Sequence, residues 1–229
     1  MRKQLLTLTT LTLLTTQIQA EYVVTYFDQG QVKAQTNYVD GSRTDLKPGI
    51  KDGLEKVYYQ SGQIANEVHY IKGKRNGKMT WYDRAGNILS TCYFKMGKYD
   101  GVEETYHLNK KIKKRVTYIN DLKEGYQKEY FDNGQLALEV KYVHNKKEGV
   151  QKEYTPEGKL YSKVNYKKNY KEGYQKWYDE KGNVTKKIFY KMDRPINIMK
   201  KVQKEKDVHM YDELRRLNFS PNRGTQNAH

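Results

Sequence analysis

The sequence predicts an all-β fold: an elongated single-layer antiparallel β-meander of about seven 24-residue β-hairpin repeats, followed by a short C-terminal helix or tail. Three observations carry this expectation. Gly recurs at 53, 77, 101, 125, 149 and 173, a constant step of 24. Tyr follows five residues after each of them, as Tyr58, Tyr82, Tyr106, Tyr130, Tyr154 and Tyr178. Each period also holds two short runs rich in β-branched and aromatic residues, bounded by turn residues, which is the pattern of a hairpin and not of a helix. A fixed period of this length marks a repeat architecture.

Taken along the chain, residues 1–20 come first. Met1-Arg2-Lys3-Gln4 is basic, Leu5–Leu14 is a short apolar run diluted by Thr, and Ala20 offers a small residue for cleavage. This is the form of a secretory signal peptide and is too short to span a bilayer. Export follows as an expectation: periplasm, cell surface or medium, after cleavage near Ala20. Residues 21–52 read as a degenerate first repeat, with Tyr26, Gly30, Val32 and Tyr38 in repeat positions and an inserted loop, DGSRTDLKPG, carrying Pro48. Residues 53–192 hold six full repeats. Residues 193–229 leave the pattern: Arg194-Pro195 should stop the last strand, residues 197–217 suit a charged capping helix, and the remainder a disordered tail.

Within a repeat, a second Gly stands at 62, 86, 134, 158 and 182, with Lys110 as the exception, and an aliphatic residue follows two positions later. Asp132-Asn133-Gly134 is read as a three-residue loop with Gly134 in the left-handed region. That register sets Tyr130 opposite Leu136 and Tyr126 opposite Val140. Elsewhere it sets Leu54 opposite Val68, Val102 opposite Val116, Val150 opposite Val164, Tyr174 opposite Ile188 and Glu104 opposite Lys114. The later turn, at Gly73, Gly97, Asp121, Asn145 or Asn169, is given a second three-residue loop, since these residue types tolerate positive φ. One face should then carry Tyr58, Ile64, Val68, Tyr70 and their repeats. The other should be Lys, Glu, Gln and Thr, with Trp81 and Trp177 as exceptions. The repeat glycines at 53, 77 and onward fall inside a strand, where Gly signals a bulge or a closely packed neighbouring ring.

With Gly, Tyr, Gly, aliphatic, Tyr and Gly/Asn in this order, the chain resembles the MORN repeat in its bacterial variant form. The resemblance covers residues 53–190 well and 21–52 loosely. Lys110 for the turn Gly, Phe94 for Tyr, and Asp or Asn at the later turn depart from the pattern. The resemblance implies a single-layer elongated sheet. It also implies a scaffold: eukaryotic relatives are linked to membranes, phosphoinositides and protein assembly, and bacterial variants are often labelled YwqK-like antitoxins.

Composition narrows the function. Lys and Arg number 43 against 27 acids, a formal charge of +16, and hydrophobic residues make up only 36 %. Such a balance leans towards disorder, but 22 tyrosines supply the ring area to order a sheet. Cys92 is the lone cysteine, so there is no internal disulfide and no C-x-x-C pair. His69, His107, His144, His209 and His229 show no ligand spacing, and no nucleophile, phosphate-loop or dinucleotide motif is present. The reading is therefore not an enzyme, with no cofactor, no metal and no catalytic residues. The candidate contact residues are the repeated rings Tyr58, Tyr82, Tyr106, Tyr130, Tyr154 and Tyr178, the rings Tyr70, Tyr118, Tyr142 and Tyr166, and the basic cluster Lys110, Lys111, Lys113, Lys114 and Arg115. A protein partner is expected, with an anionic glycan or lipid headgroup as the other partner class. Nucleic acid is not, since an exported protein rarely meets it. The alternative function is an antitoxin that neutralises a toxin by direct binding.

Overall fold

The computed structural model describes residues 4–5, 20–39 and 49–196. The expected capping helix, the tail and most of the leader lie outside them. Among the described residues nineteen strands form one antiparallel sheet, a meander in which each long strand pairs with the long strands before and after it. The two-residue strands Lys98–Tyr99, Leu122–Lys123 and Lys146–Lys147 pair with the same preceding strand as the long strand that follows them. The first full-length hairpin is Ala20–Tyr26 with Val32–Val39, and Gln4–Leu5 adds a short pairing against Val23 and Val24. The sheet runs on as far as Arg194–Ile196, where Pro195 still lies opposite Tyr190.

One period shows how the sequence shapes all of them. Gly125–Tyr130 is followed by Leu136–Val143. Between them the Phe131 N–H donates to the Gln135 carbonyl (2.9 Å), the Gly134 N–H donates back to the Phe131 carbonyl (2.9 Å), and Gly134 has φ of 94°. This is the three-residue loop that the Asp-Asn-Gly sequence predicts, and Tyr130 does face Leu136.

One residue further on, the register changes. Glu129 lies opposite Leu138, so Ala137 is an extra residue, and the bulge recurs at the same place in every hairpin. Because a bulge sets two residues against one, it moves each later side chain to the other face. The expected partnerships therefore shift by one. Val140 faces Gln127, not Tyr126. Val68 faces Glu55 and not Leu54, and Val116 faces Glu103 and not Val102. Val164 and Ile188 face Gln151 and Gln175, while Arg115, not Lys114, lies opposite Glu104.

The later turn is also corrected. Val143 pairs with Lys146, leaving a loop of His144 and Asn145 with φ of 48° and 65°. Two left-handed residues in a two-residue loop make a type I′ turn, whose twist matches that of the strands. The Asp or Asn that replaces Gly there adds a bond: Asn145 Oδ1 accepts from the Lys123 N–H (2.6 Å) and Asn169 Oδ1 from the Lys147 N–H (2.6 Å). The residue before each repeat Gly, an acid everywhere except Asn76, serves the next turn. Glu124 accepts from the His144 N–H (2.9 Å) and Glu148 from the Lys168 N–H (2.9 Å). Successive turns are thereby stitched along one margin of the sheet. The repeat Gly itself sits at a second bulge, since Tyr118 pairs with Lys123 but Arg115 with Lys128. Only at Gly101 is a close ring the stronger reason, for a Cβ there would lie 2.8 Å from Tyr93 Cβ.

The first bulge separates the two rows that the sequence had placed together. Val68, Val116, Val140, Val164, Tyr70 and Tyr142 share one face, called here the valine face, with Trp81 and Trp177. Tyr58, Tyr82, Tyr130 and their repeats stand on the other, the lysine face. With no second sheet, side chains of the valine face must cover one another, and they do so closely enough to leave Val140 0 % exposed.

Candidate binding surface

The valine face is closed by two interleaved columns. One is Lys51, Arg75, Tyr99, Lys123, Lys147 and Lys171; the other is Tyr70, Phe94, Tyr118, Tyr142, Tyr166 and Tyr190. Each ring has a cation or a ring over it. Lys51 Nζ lies 4.9 Å from the Tyr70 centroid, Lys123 Nζ 5.0 Å from that of Tyr142, Lys147 Nζ 4.8 Å from that of Tyr166, and Tyr99 5.3 Å from Tyr118. Such contacts contribute about 0.5–2 kcal/mol each as they are desolvated. Lys147 Nζ also donates to Gln151 Oε1 (2.9 Å), and Gln151 Nε2 donates to Glu153 Oε1 (2.9 Å).

These buried polar chains set the charges. Burial lowers the Lys147 pKa, with Glu153 and Glu129 opposing. Burial also pulls Lys51 down, but its hydrogen bond and ion pair with Glu55 more than offset this, and the net shift is upward. Burial, then Glu103, pushes the Tyr118 hydroxyl up to about 12. The candidate rings Tyr70, Tyr118, Tyr142 and Tyr166 are thus occupied by packing within this face.

The lysine face presents one continuous row, a single residue from each long strand after Ala20–Tyr26. It runs Gln35, Lys56, Glu67, Thr80, Thr91, Glu104, Arg115, Lys128, Glu139, Lys152, Lys163, Lys176 and Lys187, each directly opposite the next. Its first two-thirds is internally paired. Arg115 Nε donates to Glu104 Oε1 (2.7 Å), Lys128 and Glu139 are 3.3 Å apart, and Thr80 and Thr91 are buried. The last third is four lysines, of which Lys152 alone has an ion pair among the described residues, with Glu139 at 3.7 Å.

The six rings Tyr58, Tyr82, Tyr106, Tyr130, Tyr154 and Tyr178 flank this row, partly buried. Three of them spend their hydroxyls on it: Tyr58 donates to Gln35 (2.6 Å), Tyr82 to Glu67 (2.7 Å) and Tyr106 to Glu104 (2.7 Å). The basic run from Lys110 to Arg115 is dispersed and not gathered. Lys110 holds the turn with φ of 68°, and Lys111 Nζ donates to the Asn133 carbonyl (2.8 Å). Lys113 is the bulge residue, Lys114 pairs with Glu103 (3.3 Å) on the valine face, and Arg115 pairs with Glu104 on the other.

The exposed rings are different ones. Tyr126 is 52 % exposed and Tyr174 41 %, both on the lysine face by register, and Tyr161, the unpaired residue between Leu160 and Ser162, is 49 % exposed. Tyr126 and Tyr174 follow the repeat Gly, and Tyr161 occupies a bulge. The sequence signal was present in the regular positions, but their exposure depends on the bulge. Among the described residues no helix is long and apolar enough to cross a membrane.

The family described as MORN repeat variant matches residues 51–72, 75–96, 99–120, 123–144, 147–168 and 171–192, together more than half of the chain. The chain belongs to the MORN repeat variant family. Each MORN unit so defined runs from a residue of the ring-covering column to the end of the following hairpin. No curated protein matches the chain. Among solved structures it is similar to a chain of the GtfA/B complex bound to UDP and GlcNAc, at 14 % identity and a TM-score of 0.23, over 47 % of this chain and 21 % of that one. It is also similar to a porin-like protein from Bacteroides uniformis, at 11 % identity and a TM-score of 0.21, over 77 % and 86 %. The chain spans about a fifth of the first of these.

Proposed function

We propose that this MORN repeat protein is an exported, non-enzymatic scaffold that holds a partner against its lysine face. The observation that carries the reading is the contrast between faces. The valine face is closed by its own side chains, whereas the lysine face leaves Tyr126 and Tyr174 exposed beside a row of cations. Exposed amphipathic rings beside charge are the composition of contact surfaces. Export rests on the basic start, apolar run and Ala20 of the first twenty residues.

Fractionation of cells making the native chain, followed by N-terminal sequencing, tests the first half. A mature chain beginning at Glu21 in an envelope or secreted fraction is expected. Full-length chain retained in the cytoplasm would replace this reading with that of an antitoxin. Capture of a partner from envelope fractions tests the second half. The partner should be lost with Tyr126→Ala/Tyr174→Ala, and unchanged capture would place the contact elsewhere.

A further inference from the structure

We infer that the four-lysine end of the row is a binding track for a linear acidic polysaccharide, one bearing carboxylates along its length. This rests on the proposed use of the lysine face and assigns a ligand class to its C-terminal third. Lys152, Lys163, Lys176 and Lys187 lie directly opposite one another across four strands. Like charges directly opposite one another destabilise a sheet. Earlier in the row two cations meet once, Arg115 opposite Lys128, and there each is ion-paired with an acid on its other side, Glu104 and Glu139. The repulsion retained in the last third is relieved by an anion laid across the strands.

The geometry selects a chain-like anion. The lysines follow the strand spacing of about 4.8 Å, so the track is about 14 Å long and one residue wide. A line of charges matches a polymer with regularly placed anions better than a planar surface. Rings line both sides. Lys187 Nζ is 5.6 Å from the Tyr174 centroid and Lys163 Nζ 5.7 Å from that of Tyr178, and Tyr174 is exposed. Such rings offer an apolar face to the C–H side of a sugar and a hydroxyl edge to its polar groups. The cations are all lysine. An ammonium is a hydrated point charge with three rotatable donors, which lets the track meet anions and hydroxyls in the varied orientations a flexible polymer presents.

The test is calorimetric titration of the mature chain with size-defined oligogalacturonate, using neutral dextran of similar length as control. Oligogalacturonate should bind and dextran should not. Lys163→Gln/Lys176→Gln should weaken binding at least about tenfold, while the charge-matched Lys110→Gln/Lys111→Gln should stay within about twofold of the native chain. The first variant should melt no lower than the native chain, because it removes a repulsion, so lost binding cannot come from lost folding. Equal losses in both variants would reduce the effect to net charge and overturn the inference. So would track-dependent binding that appears only with anionic lipid vesicles or a single-stranded oligonucleotide. If the native chain and Lys163→Gln/Lys176→Gln capture the same envelope partner equally, and neither binds oligogalacturonate, the polysaccharide track falls while the scaffold reading stands.

Discussion

The middle of the sheet, from Val68 to Tyr106, and its last three repeats, from Lys123 to Lys191, share one backbone but fill it with different chemistry. In the middle, the valine face is an apolar cluster of Val68, Met79, Cys92 and Phe94, with Tyr70, Trp81 and Tyr99 packed against it. In the last repeats the same columns hold Lys147, Gln151 and Glu153, a hydrogen-bonded chain, and the buried apolar residues are only Val140 and Val164. The lysine face changes in parallel, from buried Thr80 and Thr91 to four lysines. A repeat sheet separates the two tasks along its length, because each unit depends mainly on its immediate neighbours. Cohesion is concentrated in the middle and charge at the C-terminal end.

The largest test of this contrast is ring removal. Phe94→Ala leaves a cavity in the apolar cluster and should cost about 3–5 kcal/mol. Tyr166→Ala removes a ring whose other side is a lysine stem, and should cost about 2 kcal/mol. Urea unfolding compares them, and equal losses would show that the two regions are equally cohesive.

Next comes the repeat glycine. Gly149→Ala strains only a left-handed backbone, since nothing lies within 4 Å of its Cβ, and should cost about 1–2 kcal/mol. Gly101→Ala also drives a methyl to 2.8 Å from Tyr93 Cβ and should be clearly the worse of the two. If the two match in thermal melting, the middle of the sheet is looser than its packing indicates.

Alkali should find the middle first. Burial, with Glu103 adding and Arg75 opposing, pushes the Cys92 thiol from 9.0 up to about 12, and Tyr118, on the far side of the strand that carries Glu103, is also pushed up to about 12. A group with a raised folded pKa keeps its contribution below the unfolded value and loses it as pH rises through the folded one. The contribution of these two groups should therefore be level below pH 9 and fall between about 9 and 12, and Cys92→Ala should flatten part of that fall. A flat profile in the native chain would contradict the burial of these groups.

The legible and illegible parts of the fold divide at the bulges. Gly134 and its equivalents announced their loop because that backbone conformation selects a residue type. The residue in the bulge three positions later is Ala65, Leu89, Lys113, Ala137, Tyr161 or Thr185. Such a mixture carries no signature, so the flip it imposes was invisible. Everything that depended on side-chain parity went with it, including which tyrosines are exposed. Asn120-Asp121 and His144-Asn145 did carry a trace of the two-residue turn, in adjacent residues able to hold positive φ. The lysine track could be found only once the register was fixed, because its members lie 11 or 13 residues apart in the chain.

The smallest expected effect sharpens the comparison most, because it turns on an oxygen exchanged for a nitrogen. Lys51 pairs with Glu55, whereas Lys147 and Lys171 meet Gln151 and Gln175 at the same place, each donating at 2.9 Å. Two residues beyond Glu55 on the same face is Val57, beyond Gln151 is Glu153, and beyond Gln175 is Trp177. Gln151 is an adapter that accepts from a lysine and donates to a carboxylate. In Gln151→Glu the donor is lost and two carboxylates meet where 2.9 Å separated donor from acceptor, so stability should fall by about 1–2 kcal/mol. In Gln175→Glu no acid stands beyond, and the new ion pair with Lys171 should add up to about 1 kcal/mol. Urea midpoints at neutral pH and at pH 3 separate the two, since protonating the new carboxyl should remove both effects. Opposite signs at neutral pH would mean that each glutamine is chosen by its next neighbour along the strand, while equal signs would mean that this end of the sheet simply disfavours another charge.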